Sequence, residues 1–211
     1  MTASARTRIK ICGITRIDDA RAAIAAGVDA VGLVFYPRSP RCLDIESARS
    51  IVDQLPPLVT VVGVFVNQTI EQVREIADRA SLDILQLHGD ETPEQCRRYG
   101  QPYIKGVRMR DDVDLTATAY AYSDCRGLLL DTYKPGTEGG TGETFSWKRI
   151  PATMIKPVIL AGGLNPANVG EAIETVRPFA VDVSSGVEKT QGVKDAREIE
   201  RLVKAVRAAD R

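Results

Sequence analysis

Apolar residues in this chain alternate between two regimes. Short runs rich in Val, Ile and Leu occur at RIKIC (8–12), AVGLVF (30–35), VTVVGVF (59–65) and DILQLH (83–88). They continue at YIKGV (103–107), GLLLD (127–131), PVILAG (157–162) and FAVDVS (179–184). These eight runs read as buried strands. Between them apolar residues recur with the helical period: Ala48, Ile51, Val52 and Leu55, then Val169, Ala172, Ile173 and Val176, then Ile199, Leu202, Val203 and Val206. One apolar stripe per helix suits a layer packed against a sheet.

Helix starts carry their own marks. Thr92-Pro93-Glu94-Gln95 joins an N-cap threonine, a first-turn proline and a glutamine able to close a capping box. Asn165-Pro166 repeats the cap-then-proline logic before the helix of the seventh unit. The sixth unit is weakest, with only 144–150 left for a helix after a glycine-rich loop. Eight βα repeats within 211 residues predict one α/β domain spanning 1–211, a closed (β/α)8 TIM barrel. An open doubly wound sheet is the alternative, but no GxGxxG fingerprint follows an early strand.

Composition narrows the function classes. Apolar residues make up 44%, enough for one large core, and 28 basic residues balance 28 acidic ones. Nothing in that balance points to nucleic acid or a membrane. The opening MTASARTRIK has no apolar signal core, and no stretch approaches a membrane span. Cys12, Cys42, Cys96 and Cys125 are therefore expected to be reduced, in a cytoplasmic protein. A single histidine and no CxxC pair argue against zinc.

In such a barrel, functional groups lie at the C-terminal ends of the strands and in the loops that follow. Those positions hold Cys12, the loop 35–41, Asn67, His88, Arg108, Asp131, Gly162-Gly163 and Ser184-Ser185-Gly186. Gly162 and Gly163 offer bare backbone to an anion. Ser184, Ser185 and Gly186 add hydroxyls and a short-helix start, so the two adjacent ends read as a phosphate site. Cys12 is either a small buried hydrophobe or a catalyst, and Asp131 either a helix cap or an acid. Facing one mouth beside a phosphate site, they form a candidate proton-transfer pair. Arg41, or Arg38 in the same proline-stiffened loop, suits a planar carboxylate. His88 is either a hydrogen-bonding wall of the site or a structural histidine.

The chain resembles the phosphoribosylanthranilate isomerases over essentially its whole length. The resemblance rests on Lys10-Ile-Cys-Gly-Ile-Thr15, the 35–41 loop, Val62-Gly-Val-Phe-Val-Asn67, Leu85-Gln-Leu-His-Gly89 and Leu128-Leu-Leu-Asp131. It continues through Gly139-Gly-Thr-Gly142 to Trp147, Leu160-Ala-Gly-Gly-Leu164 and Asp182-Val-Ser-Ser-Gly-Val-Glu188. Glu143 and Ser146 stand where the family pattern has a basic residue and an aspartate. The resemblance implies a cofactor-free Amadori rearrangement of N-(5-phosphoribosyl)anthranilate in tryptophan biosynthesis, with no metal. Cys12 would be the general base and Asp131 the general acid. Arg41 would bind the anthranilate carboxylate, and the last two strand ends would bind the phosphate. The expected assembly is a monomer or a homodimer.

Two rivals follow from the same scaffold. One is a histidine-pathway or dual-substrate aminoaldose isomerase, which usually has an aspartate where Cys12 stands. The other is a non-catalytic barrel that binds a phosphate ligand. Strand alternation adds one expectation: Lys10 shares a face with Cys12, and Asp182 with Ser184. If the first strand pairs with the eighth, Lys10 and Asp182 form an ion pair beneath the site.

Overall fold

The computed structural model describes residues 6–132 and 145–210. The eight barrel strands are β1 (Arg8–Cys12), β2 (Ala30–Val34), β3 (Thr60–Phe65), β4 (Ile84–Leu87), β5 (Tyr103–Arg108), β6 (Gly127–Asp131), β7 (Val158–Leu160) and β8 (Ala180–Val183). They are all parallel and close in sequence order, with β8 hydrogen-bonded to β1. The fold is a TIM barrel.

Among the described residues seven α-helices surround it: α1 (Ile17–Ala26), α2 (Ile45–Val52), α3 (Ile70–Ala80), α4 (Pro93–Arg98), α5 (Leu115–Ala121), α6 (Val169–Val176) and α7 (Ala196–Ala209). The predicted stripes face inward: Ala48 and Ile51, Val169, Ala172 and Ile173, and Ile199, Leu202, Val203 and Val206 are buried. They meet outward-facing strand residues such as Ile9, Ile11, Leu33, Leu128 and Val181 in the main core. A smaller core fills the barrel itself, built from Ile104, Leu129, Ile159, Ala161 and Ala180. Period two along each strand separates the two cores.

Both helix starts marked in the sequence carry side-chain caps. Thr92 caps α4 as expected, its hydroxyl accepting from Gln95 N while Gln95 Oε1 accepts from Thr92 N. Asn165 caps the turn that leads into α6: its Oδ1 accepts from Ala167 N at 2.9 Å, its own N donates to Asn168 Oδ1 at 2.8 Å, and its O accepts from Val169 N at 3.1 Å. The regular helix begins at Val169. Among its described residues the sixth unit has one 3₁₀ turn, Trp147–Arg149; the glycine motif 139–142 and Glu143 lie outside the described residues.

After β8 the chain makes a 3₁₀ turn, Ser185–Val187, and a small ribbon of β9 (Glu188–Thr190) and β10 (Val193–Lys194) that the sequence pattern did not signal. Thr15 Oγ1 donates to Gly192 O at 2.6 Å, tying the ribbon to the loop after β1. At the opposite end of the barrel, Asp210 accepts from Thr7 N at 2.9 Å and Thr7 Oγ1 at 2.6 Å. Arg207 Nη1 donates to Thr7 O at 2.8 Å, so α7 is clasped to the start of β1.

Candidate functional site

Alternation decides which side chains enter the barrel. Ile104, Leu129, Ile159 and Ala180 fill its lower interior, so residues two and four further along those strands also face inward. That places Asp131 above Leu129, and Asp182 and Ser184 above Ala180. Register then aligns Lys10 with Asp182, and Cys12 with Gly32. Cys12, buried with Val34 and Val64, lines the upper interior.

The expected ion pair is present. Lys10 Nζ lies 2.9 Å from Asp182 Oδ1, and both side chains are buried. Burial alone would lower the Lys10 ammonium, yet Asp182 and Cys12 outweigh it and raise its pKa. The Cys12 thiol is also raised, chiefly by burial, with Lys10 pulling it down and Asp182 pushing it up. Gly32 makes room for this group: a Cβ there would stand 2.8 Å from Cys12 Sγ and 3.0 Å from Lys10 Nζ.

Across the mouth, His88 Nε2 and Asp131 Oδ2 are 3.2 Å apart. Gln86 Nε2 lies 3.0 Å from His88 Nδ1; with the amide donating there, a neutral ring carries its proton on Nε2, facing Asp131. Asp131 Oδ1 accepts from Thr132 N at 2.9 Å. Gln86 is a polar residue in an apolar strand, and its i, i+2 spacing to His88 is the signal that could have marked it.

The phosphate candidates sit side by side at the ends of β7 and β8. Gly162 and Gly163 have positive φ, 81° and 68°, which only glycine adopts without strain. The reason for Gly162 differs from the expected open approach to an anion: a Cβ there would collide with Thr132 and Asp131. Gly186 is bare because Leu164 O packs against it. Among the described residues, the amides of Gly162, Gly163, Ser185 and Gly186 donate to no protein acceptor. They leave a group of donors at one corner of the mouth.

Arg41, not Arg38, enters the site: Arg38 is exposed, whereas the Arg41 side chain is largely buried. Tight turns hold its loop, with Ser39 N donating to Tyr36 O and Cys42 N to Ser39 O. Arg41 Nε and Nη2 donate to the two oxygens of Glu188 at 2.7 and 2.6 Å. Lys194 Nζ donates to Glu188 Oε1 at 2.9 Å and to Ser184 O at 3.1 Å. Neither Glu188 as Arg41's partner nor Lys194 was foreseen, because the ribbon that brings them in has no periodic signature. All four cysteines are free thiols. Among the described residues no three His, Cys, Asp or Glu groups are arranged to hold a metal, and no helix is long and apolar enough to cross a membrane.

A family model described as N-(5'-phosphoribosyl)anthranilate (PRA) isomerase matches residues 9–205. The chain is 55% identical over 202 residues to the N-(5'-phosphoribosyl)anthranilate isomerase of Pseudomonas putida strain F1, covering 96% of this chain and 98% of that one. The crystal structure of the phosphoribosyl anthranilate isomerase of Thermotoga maritima superposes with a TM-score of 0.85 at 42% identity, covering 96% and 99%. A phosphoribosyl anthranilate isomerase in complex with reduced 1-(o-carboxyphenylamino)-1-deoxyribulose 5-phosphate superposes with a TM-score of 0.82 at 41% identity, again covering 96% and 99%.

Proposed function

The chain belongs to the N-(5'-phosphoribosyl)anthranilate isomerase family, and from that premise we propose that Cys12 and Asp131 carry out its aldose–ketose isomerisation by proton transfer. The carrying observation is that alternation turns both residues into one mouth, with the unbonded amides of Gly162, Gly163, Ser185 and Gly186 beside them. The substrate is a phosphosugar glycoside of anthranilate. Its phosphate sits on those amides and on Ser184 and Ser185. Its carboxylate sits on Arg41.

Asp131 gives a proton to the ribose ring oxygen as the C1′–O bond breaks, and the anthranilate nitrogen lone pair forms the iminium. The carboxylate left on Asp131 accepts from His88 Nε2–H, so the arrangement seen here suits the acid after delivery. Cys12, as thiolate, then removes the C2′ proton. The electron pair flows to nitrogen, giving an enolamine that tautomerises to the ketone. The iminium is the electron sink, so the reaction proceeds without an external oxidant or reductant.

The thiol is raised by burial in the free protein, so the cationic iminium matters: positive charge nearby favours the thiolate when it is needed. The test is the decay of substrate fluorescence after generating phosphoribosylanthranilate in situ. Cys12→Ala and Asp131→Asn should each lower turnover by about 10²–10⁴. Wild-type decay no faster than the spontaneous background would overturn the activity. Full activity in either variant would overturn that residue's role.

A further inference from the structure

Glu188 is an acidic residue directly following a predicted phosphate loop, where a carboxylate would repel the ligand. Its side chain is buried, and both oxygens are occupied by cations: Arg41 takes one through Nε at 2.7 Å and the other through Nη2 at 2.6 Å, and Lys194 adds 2.9 Å to the first. Burial would raise this carboxyl, but the bonds and charges of Arg41 and Lys194 hold it below the usual range. The three residues come from three places, the loop after β2, the start of β9 and β10. The register of the ribbon sets Lys194 opposite Glu188.

A guanidinium is a flat fork with two edges that fit a carboxylate, one side-on (Nε with Nη2) and one end-on (Nη1 with Nη2). Glu188 occupies the side-on edge. We propose that Glu188 is the positioning residue that sets carboxylate specificity, locking Arg41 so that its end-on edge alone receives the anthranilate carboxylate. This rests on the reading that Arg41 binds that carboxylate.

Charge balance supports the assignment. Arg41 paired with Glu188 alone would be a neutral pair with little net pull on a second carboxylate. Lys194 restores one surplus positive charge, which one aromatic carboxylate neutralises. Lys194 is itself anchored, its Nζ donating to Ser184 O and Ser184 Oγ and its backbone N donating to Asp19 Oδ2 at 3.0 Å. The locked guanidinium also lies next to the base. Gly13, the residue after Cys12, has φ 72°, and the Arg41 stem fills the space where its Cβ would stand. A carboxylate fixed on Arg41 thus fixes the ortho nitrogen and the sugar carbons relative to Cys12.

The experiment compares the glycosides of ribose 5-phosphate with anthranilate and with aniline, which lacks the carboxylate, on wild type, Arg41→Ala, Glu188→Gln, Glu188→Asp and the Arg41→Ala/Glu188→Gln double variant. In Glu188→Gln the preference for the anthranilate glycoside, as a ratio of kcat/KM values, should fall about tenfold, carried by KM more than kcat. Glu188→Asp should regain part of it, and the double variant should be no worse than Arg41→Ala. Equal losses on both glycosides in Glu188→Gln, with Arg41→Ala still abolishing the preference, overturn the proposal and leave Arg41's role standing. An unchanged preference in Arg41→Ala overturns Arg41's role and the proposal with it. If Glu188→Gln does not fold, Glu188→Ala decides: a wild-type preference there means the lock is not needed.

Discussion

Lys10 and Asp182 meet at 2.9 Å across the seam where β8 closes onto β1, both buried, with Cys12 two residues further along β1. The pair sets the base's electrostatics from below. Lys10 favours the thiolate, Asp182 opposes it, and burial keeps the thiol raised overall.

Asp182→Asn should therefore move the thiol down. A raised thiol is protonated at neutral pH, and kcat/KM climbs as pH rises through its pKa. Removing the carboxylate that raises it shifts that climb to lower pH. Lys10→Met removes the group that lowers it and shifts the climb to higher pH. Each variant strands one buried partner and should cost about 3–5 kcal/mol of stability. A pH–rate profile with thermal unfolding reads both effects, and shifts in the same direction for the two variants would contradict this electrostatic account.

His88→Ala should lower kcat about tenfold, which is about 1.4 kcal/mol of lost transition-state stabilisation. The cause is that the carboxylate formed on Asp131 loses the Nε2–H donor 3.2 Å away. Single-turnover kinetics separate this from binding. An unchanged chemical step would leave His88 as a packing residue.

Gly186→Ala should weaken phosphate binding and the fold together. The new methyl meets Leu164 O, a backbone atom held by the β7 loop, so the two phosphate-bearing ends must separate. Overpacking of this kind costs about 1–3 kcal/mol. Inhibition by inorganic phosphate should weaken in parallel with the fall in Tm, and tighter phosphate inhibition would count against the site.

Thr92→Ala removes one half of the α4 capping box at a solvent-exposed position. The loss should be about 1 kcal/mol, or about 2–4 °C in Tm for a protein of this size. Steady-state kinetics should match wild type at temperatures below the transition.

Much of the architecture was legible because barrel strands advertise themselves. All eight runs became strands, since a two-sided core demands continuous apolar stretches. The inward turn of Cys12 and Asp131 and the Lys10–Asp182 pair followed from period two plus closure. Capping was legible where side chain and helix agreed, as at Thr92. It was legible at Asn165 as well, although the turn that residue caps becomes regular helix only at Val169. The carboxylate lock was not legible for a different reason. Arg41 and Glu188 lie 147 positions apart and meet through a loop and a short ribbon, neither of which carries a repeating pattern.

The clasp of Asp210 and Arg207 on Thr7 has a topological consequence. It joins the last helix to the first strand by side-chain bonds at the point where every other unit is joined by peptide bonds. Together with the β8–β1 ladder, this makes the molecule a ring whose covalent start is incidental to its shape. A circular permutant linked across residues 210 and 6, and opened instead between α4 and β5 at the face away from the mouth, would present the same eightfold ring to its ligand.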